Sequence, residues 1–231
     1  MRVPDSEIAI CSVGFGEAYE NQLTRLQESL SKIYENQAPS AKLSKPNITS
    51  DFFWRGELPP GSKPFLDSLY GFKVHAVNAA LEKGFKHIFW FDPAIIVQEY
   101  LDFYLHRRTD YPVIAIQDAT LLADVCSQKA VRHFDIKRSW LCGKHLVGGS
   151  FYYFNFNNPV TWQVFRMWEK AELNGIFGSQ DEEASEQLQG HRADETCLAL
   201  SLYKNNLIPM PYTHSRYDKD RNPIIIKEHF K

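Results

Sequence analysis

Asp92 follows the apolar run His87-Ile88-Phe89-Trp90-Phe91 and precedes Pro93. Open α/β sheets bind ligands outside the carboxyl ends of their strands. A carboxylate at such an end can hold a hard cation, and the cation can neutralise a diphosphate. The plainer reading is that Asp92 opens the turn at Pro93. A second group, His191-Arg192-Ala193-Asp194-Glu195-Thr196, stands where an apolar helix begins. Asp194 is a good helix N-cap and Glu195 adds favourable charge to the first turn. Four ionisable side chains within five positions exceed what a cap requires. Arg192 could pair with phosphate, and a carboxylate could serve as general base. Gly148-Gly149, inside a strand and ahead of Phe151-Tyr152-Tyr153-Phe154, marks either a close approach of a sugar ring or base to bare backbone, or a tightly packed helix. His214, beyond an extended stretch ending near Pro211-Tyr212, is either a metal ligand or a solvated loop residue.

These residues need a frame to hold them. Ile8 to Val13 reads as a buried strand leaving into Gly14-Phe15-Gly16. Leu23, Leu26, Leu30 and Ile33 give Tyr19 to Tyr34 a helical period. The spacing predicts a helix over Phe72 to Lys83 stopped near Gly84, then a central strand His87 to Phe91 and a short extended piece Ile95 to Val97. Leu101 to Arg107 reads as a short helix, Val113 to Ile116 as a strand and Ala119 to Phe134 as helical. His145 to Phe154 reads as a strand, and Thr161 to Leu173 and Asp194 to Lys204 as helices. Leu207 to Met210 leads into a last strand. Residues 36–64 hold five prolines without strong periodicity and read as an irregular loop of the kind that is usually functional or mobile. The alternation predicts one α/β domain over residues 1–231.

The chain has 231 residues and a net charge of -2, so a sizeable core forms without disulfides, and a dedicated nucleic-acid binder, normally rich in Lys and Arg, is not expected. Cys11, Cys126, Cys142 and Cys197 form no C-x-x-C pair and read as small buried hydrophobes. Met1 to Glu7 lacks the apolar core of a signal peptide, and the longest apolar stretch is too short to span a bilayer, so the expected location is cytoplasmic with no transmembrane segment. On that reading Asn47-Ile48-Thr49 is a chance sequon. Aromatic residues reach 14%, which leaves core, interface and ligand platform all open.

In their order along the chain, the helix from Gly71-Phe72-Lys73 to Gly84, the strand ending at Asp92, the Gly148-Gly149 segment with its aromatics, the helix containing Trp168 and the His191-Arg192-x-Asp194-Glu195-Thr196 stretch resemble the GT-A-like nucleotide-sugar-dependent glycosyltransferases, of bacterial or viral type. The resemblance covers roughly residues 70–210. It implies a single GT-A-like, Rossmann-like α/β domain with a central mixed, mostly parallel sheet flanked by helices. It implies hexosyl or pentosyl transfer from a UDP- or GDP-sugar to a glycan hydroxyl, as in polysaccharide biosynthesis. Ser12, Val13 and Gly14 would hold the nucleotide, and the 36–64 segment, with Phe52, Phe53 and Trp54, would form part of an acceptor lid. Lys73, Asp92, Gly148, Gly149, His191 and Arg192 would complete the donor site, and Asp194 or Glu195 would act on the acceptor proton. The family usually binds Mn²⁺ or Mg²⁺ through Asp-x-Asp. Here Ala94 holds the second place, so a metal would rest on Asp92 and His214. The rival readings are a catalytically inactive nucleotide-sugar-binding module and a sugar nucleotidyltransferase, for which Gly14-Phe15-Gly16-Glu17 lacks the basic residue of a phosphate loop.

Overall fold

The computed structural model describes residues 7–35, 52–101, 104–105, 111–178, 192–211 and 225–227. The order of elements is β1 (Ile8–Gly14), α1 (Glu17–Glu35), β2 (Phe53–Arg55), α2 (Phe72–Glu82), β3 (His87–Phe91), β4 (Ile95–Val97), β5 (Val113–Leu121), α3 (Leu122–Val125), α4 (Gln128–His133), a 3₁₀ turn (Arg138–Leu141), β6 (His145–Asn155), α5 (Pro159–Leu173), α6 (Ala193–Lys204) and β7 (Ile225–Lys227). Five strands form one sheet in the order β2-β1-β3-β6-β5. β1 runs parallel to both β2 and β3, while β6 runs antiparallel to β3 and β5. β6 is thus the reversed strand in an otherwise parallel sheet, and the expected mixed, mostly parallel sheet flanked by helices is present. β4 and β7 form a separate antiparallel pair.

Strand alternation sorts the apolar side chains onto two faces, because successive residues point to opposite sides of a sheet. Ala9, Cys11, Ile88, Trp90, Tyr152 and Phe154 pack with Val74 and Val77 of α2, Phe165 and Trp168 of α5, and Cys197 and Leu198 of α6. Ile8, Ile10, Phe89, Phe91, Phe151 and Tyr153 face the other way, onto Leu23, Leu26, Leu30 and Tyr34 of α1 and onto β4 and β7. Burying one such large apolar side chain contributes about 1.5–3 kcal/mol, so each layer is held by many comparable terms. The helix ends follow local chemistry. Asn158 caps α5 by accepting a hydrogen bond from the Val160 amide at 2.9 Å, with Pro159 in the first turn. α1 carries Glu17 and Glu20 in its first turn and Lys32 in its last, complementing the helix dipole.

Several expectations need correction. The 36–64 segment is not irregular throughout: Phe53–Arg55 is an edge strand paired to β1, and Phe52, Phe53 and Trp54 are buried in the two cores. Those three rings are packing and not an acceptor lid. Residues 36–51 lie outside the described residues. The helix expected over Ala119 to Phe134 gives way to β5, which runs on to Leu121, and to α3 and α4. Met210 makes only an isolated bridge to Ile116, and the last described strand is β7. Of the helix expected over Leu101 to Arg107, only Leu101, Tyr104 and Leu105 are described. Cys11, Cys126 and Cys197 are buried and Cys142 is exposed. No helix among the described residues is long and apolar enough to cross a membrane.

Candidate active site

At one edge of the sheet the C-terminal ends of β1, β2 and β3 meet the N-terminal half of β6, which reaches the same edge because it runs the other way. The first turns of α2 and α6 close over this edge. Lys73, in the first turn of α2, is the hub. Its Nζ donates to Asp194 Oδ2 at 2.9 Å and to the Gly149 carbonyl at 2.9 Å, and lies 3.8 Å from Asp92 Oδ1. The rings of Tyr70, Trp90 and Tyr152 surround the ammonium at 5.0, 5.5 and 5.5 Å, within cation–π range. Burial works against the charge on Lys73, but Asp194, Asp92 and Glu195 outweigh it and hold the pKa above its ordinary value.

Asp194 does not cap α6. The helix begins at Ala193, and the Asp194 carboxylate turns into the protein, where Oδ2 also accepts from the Tyr152 hydroxyl at 2.9 Å. Trp168 Nε1 donates to the Asp194 carbonyl at 3.0 Å, tying α5 to the same turn. Burial pushes the Asp194 carboxyl up. Lys73 pulls it down and Glu195 pushes it up again, leaving it at about 6. Glu195 lies nearer the surface, 14% exposed, with Oε1 accepting from the Gly149 amide at 2.8 Å and Oε2 from Arg192 Nε at 2.7 Å. Arg192 is 47% exposed. Asp92 is 27% exposed, its Oδ1 3.3 Å from Trp90 Nε1 and its amide bonded to the Ser150 carbonyl at 2.9 Å.

The two glycines of β6 have different reasons. A Cβ on Gly149 would lie 2.7 Å from Glu195 Oε1 and 2.8 Å from Lys73 Nζ, so the bare backbone makes room for the charged cluster. A Cβ on Gly148 would meet only the Ile116 carbonyl, at 3.9 Å, so packing does not demand glycine there. Ser12, Val13 and Gly14 are buried within β1. The Ser12 hydroxyl donates to the Phe91 carbonyl at 2.7 Å, and Gly14 allows α1 to approach closely, since a Cβ there would lie 2.8 Å from the Tyr19 carbonyl. The exposed part of that loop begins at Phe15.

The structure therefore brings Lys73, Asp92, Gly149, Arg192, Asp194 and Glu195 together, with Gly148 beside them on β6 and Ser12 to Gly14 inside an adjacent strand. His191 and His214 lie outside the described residues. Tyr152, Trp90 and Trp168 complete the network and were missed as polar participants. The signal was in the alternation of β6 and β3, which puts Tyr152 and Trp90 on one face. A buried Tyr or Trp there needs a partner for its polar atom. Asp118, on β5, was missed as well. Burial raises its carboxyl, but the Thr120 hydroxyl and amide and the Arg192 charge bring it below the ordinary value.

The described residues do not assemble a divalent-metal site. Asp92 Oδ1 faces the Lys73 ammonium at 3.8 Å. No three His, Cys, Asp or Glu side chains converge for a metal among the described residues.

No family model matches the chain, and a search of curated proteins found no match. Among solved structures it is similar to a galactosyltransferase, LgtC, in complex with donor and acceptor sugar analogs, at a TM-score of 0.48 and 11% identity over 91% of this chain and 74% of that one. An active-site mutant of LgtC gives 0.46 and 10% over the same shares. A glycosyltransferase involved in the glycosylation of the major capsid of PBCV-1 gives 0.40 and 9%, over 75% of this chain and 71% of that one. At such scores the likeness is loose and says nothing of the chemistry at the site.

Proposed function

We propose that this protein is a glycosyltransferase that moves a hexosyl or pentosyl group from a nucleotide-diphosphate donor to an acceptor hydroxyl of a glycan. The observation that carries this reading is the meeting of two partly exposed carboxylates, Asp92 and Glu195, and one exposed guanidinium, Arg192, around the backbone of Gly148 and Gly149 at the sheet edge where α/β proteins bind ligands. Arg192, with its guanidinium at the surface, pairs with the diphosphate in this reading. The acceptor oxygen forms a bond to the anomeric carbon as the bond from that carbon to the diphosphate breaks. The diphosphate leaves with the electron pair, and the acceptor proton passes to a carboxylate. Glu195 and Asp92 suit direct contact because they reach the surface. Asp194, enclosed by Lys73 and Tyr152, suits positioning: it holds Lys73, which in turn holds the Gly149 carbonyl. With inversion, Glu195 accepts the proton in the displacement step. With retention, the same carboxylate steadies an oxocarbenium-like centre.

A second reading has support of its own. The enclosure of Asp194 and the lone carboxylate at Asp92 also suit a module that binds nucleotide sugars without turning them over. Titration calorimetry with UDP- and GDP-sugars, with and without Mn²⁺, followed by an acceptor screen, separates the two. Glu195→Gln is expected to lower transfer by about 10²-fold or more with the donor affinity little changed. Binding without transfer to any acceptor favours the module, and no binding to any nucleotide sugar removes both readings. The Mn²⁺ arm reads out metal dependence directly.

A further inference from the structure

Tyr70 departs from the pattern of the other aromatic residues at this edge. Trp90 and Tyr152 are buried, whereas Tyr70 is 44% exposed and its neighbour Phe65 is 42% exposed. Tyr70 also has φ 60°, in the left-handed region. A bulky residue held there is strained, and such strain clusters at ligand sites. The ring is fixed despite its exposure. It packs edge-on with Phe65, centroids 5.2 Å apart at 88°, and with Phe72, 6.1 Å apart at 61°. The Lys73 ammonium that bonds Asp194 and faces Asp92 also lies 5.0 Å from the Tyr70 centroid, so one cation joins the ring to the carboxylates.

We propose that Tyr70, braced by Phe65, is the stacking platform for a neutral pyranose ring of the acceptor. This rests on the glycosyltransferase reading and gives it a substrate class. An aromatic ring takes the C–H face of a pyranose, while the partly exposed carboxylate of Asp92 accepts hydrogen bonds from its hydroxyls. Burial raises the Tyr70 phenol. Lys73 opposes the shift, and Asp194 and Asp92 add to it, so the ring keeps its proton at neutral pH.

Saturation-transfer NMR with methyl β-D-glucopyranoside and methyl β-D-galactopyranoside, in the presence of UDP, tests the platform. Tyr70→Phe keeps the ring. Tyr70→Asn removes it and tolerates the positive φ, so the fold is not put at risk by strain. Transfer to the pyranoside ring protons is expected in wild type and Tyr70→Phe, with affinity weaker on the order of tenfold in Tyr70→Asn and UDP affinity unchanged in all three. Unchanged pyranoside affinity in Tyr70→Asn, a parallel loss of UDP affinity, or no transfer in wild type overturns the platform. A wild type that binds nucleotide sugars but shows no Tyr70-dependent pyranoside signal leaves the transferase reading standing. A wild type that binds no nucleotide sugar removes that reading, while Tyr70-dependent transfer still decides the platform.

Discussion

Two buried carboxylates in this protein each face a lysine, and they are pushed in opposite directions. Glu172, on α5, lies 3.2 Å from Lys63 Nζ and 3.5 Å from His75 Nε2. Burial raises it, but His75, Ser68 and Lys63 more than offset that and bring it below its ordinary value. Asp194 has the closer lysine, at 2.9 Å, yet it ends at about 6. The difference is in burial first, the largest influence on Asp194, and then in the company. Around Glu172 the neighbours named are all donors or cations. Around Asp194 the cation is shared with Asp92 and repulsion comes from Glu195. The lesson is that a lysine at hydrogen-bond distance does not by itself hold a carboxyl at its ordinary value, because desolvation and a neighbouring carboxylate oppose it. One cluster clips the 56–71 loop to α5, with Lys63 Nζ also donating to the Glu172 carbonyl at 3.1 Å. The other keeps a carboxyl group poised near neutrality, a property that concentrates at functional sites.

The comparison is broken most forcefully at Asp194. Asp194→Ala leaves the Lys73 ammonium buried with one partner fewer, and is expected to cost about 3–5 kcal/mol of stability, read by urea denaturation. A loss below 1 kcal/mol would mean that Lys73 finds water, and that the two clusters are alike. Gly149→Ala drives a methyl group into both charges and is expected to cost about 1–3 kcal/mol, whereas Gly148→Ala should stay within about 0.5 kcal/mol. Equal costs for the two would mean that the charges shift freely. Glu172→Gln should cost about 1–2 kcal/mol without altering the transfer rate, since Lys63 is exposed enough to reach water.

The smallest effect is in the pH dependence, where the signs differ. The folded-state pKa of Asp194 is raised, so its contribution is stabilising in acid, below the ordinary aspartate value, and is lost as pH rises through about 6. Glu172 is lowered, so its contribution is present above the ordinary glutamate value and is lost as pH falls through its folded pKa. Unfolding curves from about pH 2 to 7, compared with those of Asp194→Asn and Glu172→Gln, should therefore lose slopes of opposite sign, that of Glu172 below the ordinary glutamate value and that of Asp194 up to about 6, neither steeper than about 1.4 kcal/mol per pH unit. Slopes of the same sign would end the distinction.

Much of the frame was legible in the residues. Ile8 to Val13, the Leu23-Leu26-Leu30 stripe of α1, His87 to Phe91 and His145 to Phe154 all declare their period, because each buries whole faces in contiguous runs. β2 and β7 do not declare it. They are three residues long, and pairing with β1 and β4 makes them strands. In the site, charged types in unusual places flagged Asp92, Arg192, Asp194 and Glu195. Tyr70 and Tyr152 were hidden because a ring in a core and a ring at a ligand site have the same composition. Phe52 to Trp54 were misread for that reason. Lys73 looked like a free cation for a diphosphate because nothing local reveals a partner so far along the chain.

Lys73 and Asp194 are 121 positions apart. Neither charge can be buried economically before the other arrives, so the pair closes only after α2 and α6 have both docked on the sheet. Contacts made after the transition state act chiefly on the unfolding rate. If the hub closes after the transition state, Asp194→Ala is expected to raise the unfolding rate more than it lowers the folding rate, as read by stopped-flow kinetics.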